Sequence, residues 1–124
     1  MSSRPGKRIL IVDDDAAIRR TLGELLEEEG YAVASAANGR EALACLRDDP
    51  SFALVLLDLM MPVMDGFQFR AEQKSDPALA SLPVVVMTAR GGMDRAGLDA
   101  EAVVSKPFDL LLLMGAIERS CRSD

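Results

Sequence analysis

Short apolar, β-branched runs alternate with longer segments of helical periodicity, and the alternation repeats five times along the chain. Arg8 to Val12 and Phe52 to Leu57 are continuous runs of the kind expected for strands buried on both faces. Tyr31 to Ala36 and Leu82 to Met87, the latter ending at Thr88, read as two further strands. Val103-Val104 marks a fifth, ending near Ser105-Lys106. Between them, Ile18, Leu22, Leu25 and Leu26 follow i, i+4, i+7, i+8, with Asp15 placed to cap this helix and Gly30 to end it. Asn38-Gly39 opens a second helix with Ala42, Leu43 and Leu46 on one face and Pro50 beyond its end. A third helix is predicted from about Gly66 to Lys74, poorly amphipathic because Arg70 and Gln73 fall where a core face wants apolar groups. A short Gly-rich helix follows Thr88, and a last one runs from about Asp109 to Cys121. Such alternation predicts a doubly wound α/β fold: a five-stranded parallel sheet, right-handed crossovers and helices on both faces.

The chain has 124 residues, a normal size for one domain, and no linker, repeat or low-complexity tract divides it. Apolar residues make up 49% and aromatic ones only 4%, so the core must be aliphatic. The formal net charge is −6 with no basic run, which argues against direct nucleic-acid binding, because phosphates need clustered Lys and Arg. There is no histidine, which removes His-based nucleophilic catalysis and His metal ligands. Cys45 and Cys121 lie in helical patterns with no metal spacing or disulfide framework, as suits a reducing cytosol. No signal-peptide pattern and no apolar run of membrane-spanning length is visible, so a cytoplasmic location without membrane contact is expected.

The unusual polar residues fall at strand ends. Asp13-Asp14, Asp58, Thr88 and Lys106 each follow the last apolar residue of a predicted strand. In a parallel α/β sheet these ends converge on one crevice, so three carboxylates, a hydroxyl and an ammonium should meet there. Three clustered carboxylates repel one another until a proton or a cation relieves them. With oxygen ligands only, a hard cation such as Mg²⁺ suits the set. A carboxylate beside Mg²⁺ can attack phosphorus as an acyl-phosphate nucleophile, and Lys106, Thr88 and the metal would then offset charge on the transferring group. Taken singly, the Asp triplet also reads as a capping cluster, Asp58 as a turn residue, Thr88 as ordinary strand chemistry and Lys106-Pro107 as a solvated loop. Their joint occurrence at successive strand ends singles out the site.

These segments resemble the receiver domain family of bacterial two-component response regulators. The motifs are ILIVDDD (9–15), NGREAL (38–43), VLLDLMMPVMDG (55–66), VVVMTAR (84–90) and VSKPF (104–108), and the likeness runs from Arg8 to about Arg119. It implies a flavodoxin-like sheet of order 2-1-3-4-5. It implies that Asp58 is the phosphoacceptor and that Asp14, Asp13 and the main-chain oxygen of Met60 join it around Mg²⁺, Asp13 largely through water. Lys106 would pair with the acceptor and then with the phosphoryl group, ahead of Pro107. Thr88 would follow the phosphoryl group, and the small Ala89 would leave access to it. The implied donor is a histidine kinase or a histidine phosphotransfer protein acting in trans, and the implied output is control of a downstream protein. The receiver would assist its own phosphorylation and dephosphorylation without being a turnover enzyme.

Two departures bear on readout. The family's aromatic switch residue, three positions before the Lys, is here Val103, and the stretch from Thr88 to Lys106 is several residues shorter than usual, at the expense of the helix after the fourth strand. They motivate an alternative, a degenerate receiver that binds a partner without phosphorylation. A haloacid dehalogenase-type phosphatase would want a second Asp at position 60, where Met60 stands. A flavodoxin-like flavin binder would want a phosphate loop where Asp13-Asp14-Asp15 stands. In the last helix Leu110, Leu113, Met114 and Ile117 form one stripe, with Leu111 and Leu112 off it. That pattern reads either as a broad core face or as a homodimer or partner surface. Met60, Met61 and Met64 read as loop packing. The chain is expected to be one receiver domain over 1–124, core about 8–121, with no output domain.

Overall fold

A computed structural model describes residues 7–49, 51–58, 66–88, 102–105 and 110–120. Its elements are β1 (Arg8–Val12), α1 (Ala16–Glu28), β2 (Ala32–Ala36), α2 (Gly39–Asp48), β3 (Phe52–Asp58), α3 (Gly66–Lys74), β4 (Val84–Thr88), β5 (Ala102–Ser105) and α4 (Leu110–Ser120). The five strands are parallel in the order β2-β1-β3-β4-β5, as expected from the resemblance. The short helix expected after Thr88 lies outside the described residues.

The strand period divides the core. Leu10, Val12, Val55, Leu57, Val84 and Val86 face one layer and pack with Leu43 and Leu46 of α2 and Phe69 of α3. Ile9, Ile11, Leu54, Leu56, Val85 and Met87 face the other, with Leu22 and Leu26 of α1 and Leu113, Ala116 and Ile117 of α4. Alternate residues point to opposite faces, so a strand covered on both sides must be apolar throughout. β3 is the clearest case, buried at every position. In α1 the face is narrower than the pattern predicts: Leu22, Gly23 and Leu26 are buried, whereas Ile18 and Leu25 sit at its margin. In α4, Leu113, Ala116 and Ile117 belong to the core. The side chains of Leu110, Leu111 and Leu112, and all of Cys121, lie outside the described set.

The helix ends follow local chemistry. The Asp15 carboxylate accepts from Ala17 N–H at 2.9 Å and Ile18 N–H at 3.3 Å, capping α1. Gly30, at φ 98°, closes that helix in the left-handed region, and its N–H donates to the Glu27 carbonyl at 3.0 Å. At α2, Asn38 Oδ1 accepts from Glu41 N–H at 2.9 Å while Glu41 Oε1 accepts from Ala37 N–H at 2.9 Å, a reciprocal cap.

Two strand starts differ from expectation. Tyr31 donates its N–H to Leu26 O at 3.1 Å and so completes the α1 turn before β2 begins. Leu82 donates to Leu79 O at 3.0 Å, holding it in the preceding turn, so β4 starts after Pro83. The weak amphipathicity of α3 also has a structural reason. Arg70 and Gln73 are on its buried face, at 7% and 0% exposure. The Gln73 amide donates to the carbonyls of Leu79 at 2.9 Å and Leu82 at 3.0 Å, and its oxygen accepts from Arg70 Nη1 at 2.7 Å. A buried amide so satisfied fastens the α3–β4 connection to the helix.

Candidate functional site

The carboxyl ends of β1, β3 and β4 are brought level by the strand register. Val12 is opposite Leu57, so Asp13 follows next to Asp58, and Asp58 is itself opposite Met87. Thr88 is one residue beyond that and pairs with Ser105 at the end of β5. Strand pairing alone thus puts the backbones of Asp13, Asp58 and Thr88 at one edge.

There the carboxylate oxygens of Asp13, Asp14 and Asp58 lie within 4.8 Å of one another. Asp13 and Asp58 are buried, at 0% and 4% exposure, and Asp14 is exposed. The site is therefore a buried carboxylate pair with a third carboxylate at its mouth. At 4.8 Å and an effective dielectric of about 20, two unit negative charges repel by about 3.5 kcal/mol. Such a pair calls for compensating positive charge. The ligand atoms are all oxygens, the donor chemistry that Mg²⁺ takes, so the residues fit that ion.

The Asp triplet divides its labour. Asp15 caps α1. Asp13 is fixed on three sides: its N–H donates to Ala36 O at 3.1 Å, its Oδ1 accepts from Asp15 N–H at 2.9 Å, and its carbonyl accepts from Arg19 Nη1 at 2.6 Å. Only Asp13 and Asp14 join Asp58, so the triplet is both a cap and part of the cluster. Arg19 is the residue that sequence reasoning missed. A cation in the first turn of a helix opposes the macrodipole, and that misplacement was the available signal.

The other expected site residues are reached in part. Thr88 and Val103 are described through their backbones, Thr88 at the end of β4 and Val103 opposite Val86 in β5. Met60, Ala89, Lys106 and Pro107 lie outside the described residues, as do Met61 and Met64. Lys106 directly follows Ser105, the register partner of Thr88. No described helix is long and apolar enough to cross a membrane.

The sequence pattern of the response regulator receiver domain matches residues 9–118. The chain belongs to this family. Receiver domains serve two-component signalling, and the likeness extends to named relatives. Response regulator MprA of Mycolicibacterium vanbaalenii is 42% identical over 124 residues, covering 94% of this chain and 52% of that protein. Protein PilG of Pseudomonas aeruginosa is 35% identical over 118 residues, covering 91% of this chain and 86% of PilG. The chain thus spans about half the length of the MprA regulators it matches. Among solved structures, chemotaxis protein CheY4 of Vibrio cholerae superposes with a TM-score of 0.85 at 29% identity, covering 93% of this chain and 98% of CheY4. Response regulator TrrA of Thermotoga maritima, solved in complex with Mg²⁺-BeF, gives 0.81 at 33% identity, covering 91% of this receiver and 97% of TrrA.

Proposed function

We propose that Asp58 accepts a phosphoryl group from a histidine kinase or histidine phosphotransfer protein, with Mg²⁺ as cofactor, and that the change in shape is read by a downstream protein. The observation that carries this reading is the approach of three carboxylates, two of them buried, at the strand ends. Family membership and the Mg²⁺-BeF complex of TrrA support it.

Asp13, Asp14 and Asp58 would hold the ion, joined by the main-chain oxygen of Met60. When bound, Mg²⁺ supplies positive charge against the carboxylates and the phosphoryl oxygens. The remaining steps belong to the chain's own groups. A carboxylate oxygen of Asp58 attacks phosphorus. The O–P bond forms as the bond from phosphorus to the donor nitrogen breaks, and its electron pair leaves with the imidazole. Lys106 balances charge on the phosphoryl oxygens, and the Thr88 hydroxyl donates to one of them. The absence of histidine from these 124 residues is consistent with a donor supplied in trans.

The product is an aspartyl phosphate that the receiver later loses, so the protein is a signalling phosphoacceptor and not a turnover enzyme. Thr88, Ala89, Val103 and Pro107 form the switch region. With Val103 at the position of the family's aromatic ring, the signal must pass without rotation of a ring there. Residues 8–121 are read as one receiver domain. Pairing of two copies would run through α4, where Leu113, Ala116 and Ile117 are already committed to the core.

The test is intact mass after incubation with acetyl phosphate and Mg²⁺, beside Asp58→Asn and EDTA controls. A single phosphoryl adduct, lost in both controls, is expected. An adduct that survives Asp58→Asn, or no adduct at all, would overturn the assignment.

A further inference from the structure

The carbonyl of Asp13 accepts from a side chain of α1. The register pairs of β1 with β2 and β3 run to Val12, and the N–H of Asp13 reaches on to Ala36 O at 3.1 Å. A backbone carbonyl beside a buried residue needs a partner. Arg19 provides it through Nη1 at 2.6 Å, a short, charge-assisted bond. Arg19 is itself anchored in the first turn of α1, where its N–H donates to Asp15 O at 3.0 Å. The helix dipole disfavours a cation at this place, so the bond to Asp13 is what the guanidinium gains there.

The peptide held in this way is the one that leads into Asp14. The carboxylate of Asp13 has its own tether in Asp15 N–H, and Asp58 is built into β3. Asp14 is exposed, and among the described residues it makes no hydrogen bond or ion pair. Its aim toward the other carboxylates is therefore set by its backbone, and that backbone is set from the Arg19 side.

We propose that Arg19 is a positioning residue for the cation site, holding the Asp13–Asp14 peptide so that the Asp14 carboxylate faces Asp13 and Asp58. The proposal rests on the Mg²⁺ reading above. Its sign is opposite to that of simple electrostatics. A guanidinium near the site repels a divalent cation, so removing its charge should tighten Mg²⁺ binding if charge alone mattered. Loss of positioning should weaken it, by about tenfold, the lower end of the range for groups that orient metal ligands.

The experiment is calorimetric titration of the wild-type chain, Arg19→Met and Arg19→Gln with Mg²⁺ alone, with the thermal midpoint of each recorded in EDTA and in Mg²⁺. Weaker binding and a smaller Mg²⁺-induced rise in midpoint, in either variant, are expected. Arg19→Lys, which keeps the charge and a donor, should recover part of the affinity. A merely structural arginine would lower the midpoints in EDTA and in Mg²⁺ alike and leave the affinity unchanged, which overturns the proposal. Affinity equal to or tighter than wild type in the folded variants does the same, and Arg19→Gln carries the comparison should Arg19→Met fold poorly. A wild-type chain that itself ignores Mg²⁺ would overturn the metal reading and this proposal with it, which separates the two failures.

Discussion

Replacing Asp13 by Asn should stabilise the metal-free protein. Asp13 is fully buried, and its carboxylate lies within 4.8 Å of those of Asp58 and Asp14. The amide is nearly isosteric, and its Oδ1 retains the ability to accept from Asp15 N–H, now at 2.9 Å. What the substitution removes is charge. At the 4.8 Å limit of the cluster, two unit charges repel by about 3.5 kcal/mol at an effective dielectric of about 20. The bond from Asp15 N–H passes from a charged to a neutral acceptor, which offsets part of this. We therefore expect a net gain of about 1–3 kcal/mol in EDTA. In saturating Mg²⁺ the order should change, because wild type gains binding free energy that the variant has partly lost. The assay is urea unfolding at neutral pH, in EDTA and in Mg²⁺, with the slope of the transition compared to verify that only stability has moved. A variant less stable than wild type in EDTA would refute the picture of a strained carboxylate pair awaiting a cation.

The thermal midpoint of the wild-type chain should rise with Mg²⁺ concentration, and Asp14→Ala should abolish the rise; a midpoint indifferent to the ion in scanning calorimetry would contradict the cluster's assignment. Gln73→Leu strips the donors from the carbonyls of Leu79 and Leu82 and the acceptor from Arg70, so urea unfolding should show a loss of about 2–4 kcal/mol, whereas a loss under about 0.5 kcal/mol would mean the network is not needed. Asp15→Ala removes the cap of α1 and should lower stability by about 1 kcal/mol without preventing Mg²⁺ binding; loss of the Mg²⁺ response would show that Asp15 belongs to the cluster rather than to the helix.

Much of the fold was legible because the sheet is covered on both faces. A strand such as Phe52–Asp58, buried at every position, has no polar alternation to confuse with a helix, and its one terminal carboxylate marks where the strand meets the crevice. Asp15, Gly30 and Asn38 were legible because their capping chemistry is local. Tyr31 and Leu82 were assigned to strands because their side chains suit a sheet, while their N–H groups are spent on turns; Pro83 has no N–H for a ladder and precedes β4, although its carbonyl accepts from Val55 N–H at 3.0 Å. Gln73 reads as a flaw in a helix face because its amide serves carbonyls 6 and 9 residues away, which no periodicity shows, and Arg70 reads as one because its partner is Gln73. Arg19 was missed for a similar reason: it serves a backbone oxygen, not a side chain. For the site, spacing brought Asp13, Asp14 and Asp58 together correctly, since register depends only on strand ends. The contributions of Met60 and Lys106 rest on the family resemblance.

The most direct measurement locates the phosphoryl group. After phosphorylation with acetyl phosphate and Mg²⁺, borohydride reduction converts an aspartyl phosphate to homoserine, which peptide sequencing by mass spectrometry then places. Homoserine at position 58 alone is predicted. Homoserine at 13 or 14, or an unmodified Asp58 in a phosphorylated protein, would contradict the account.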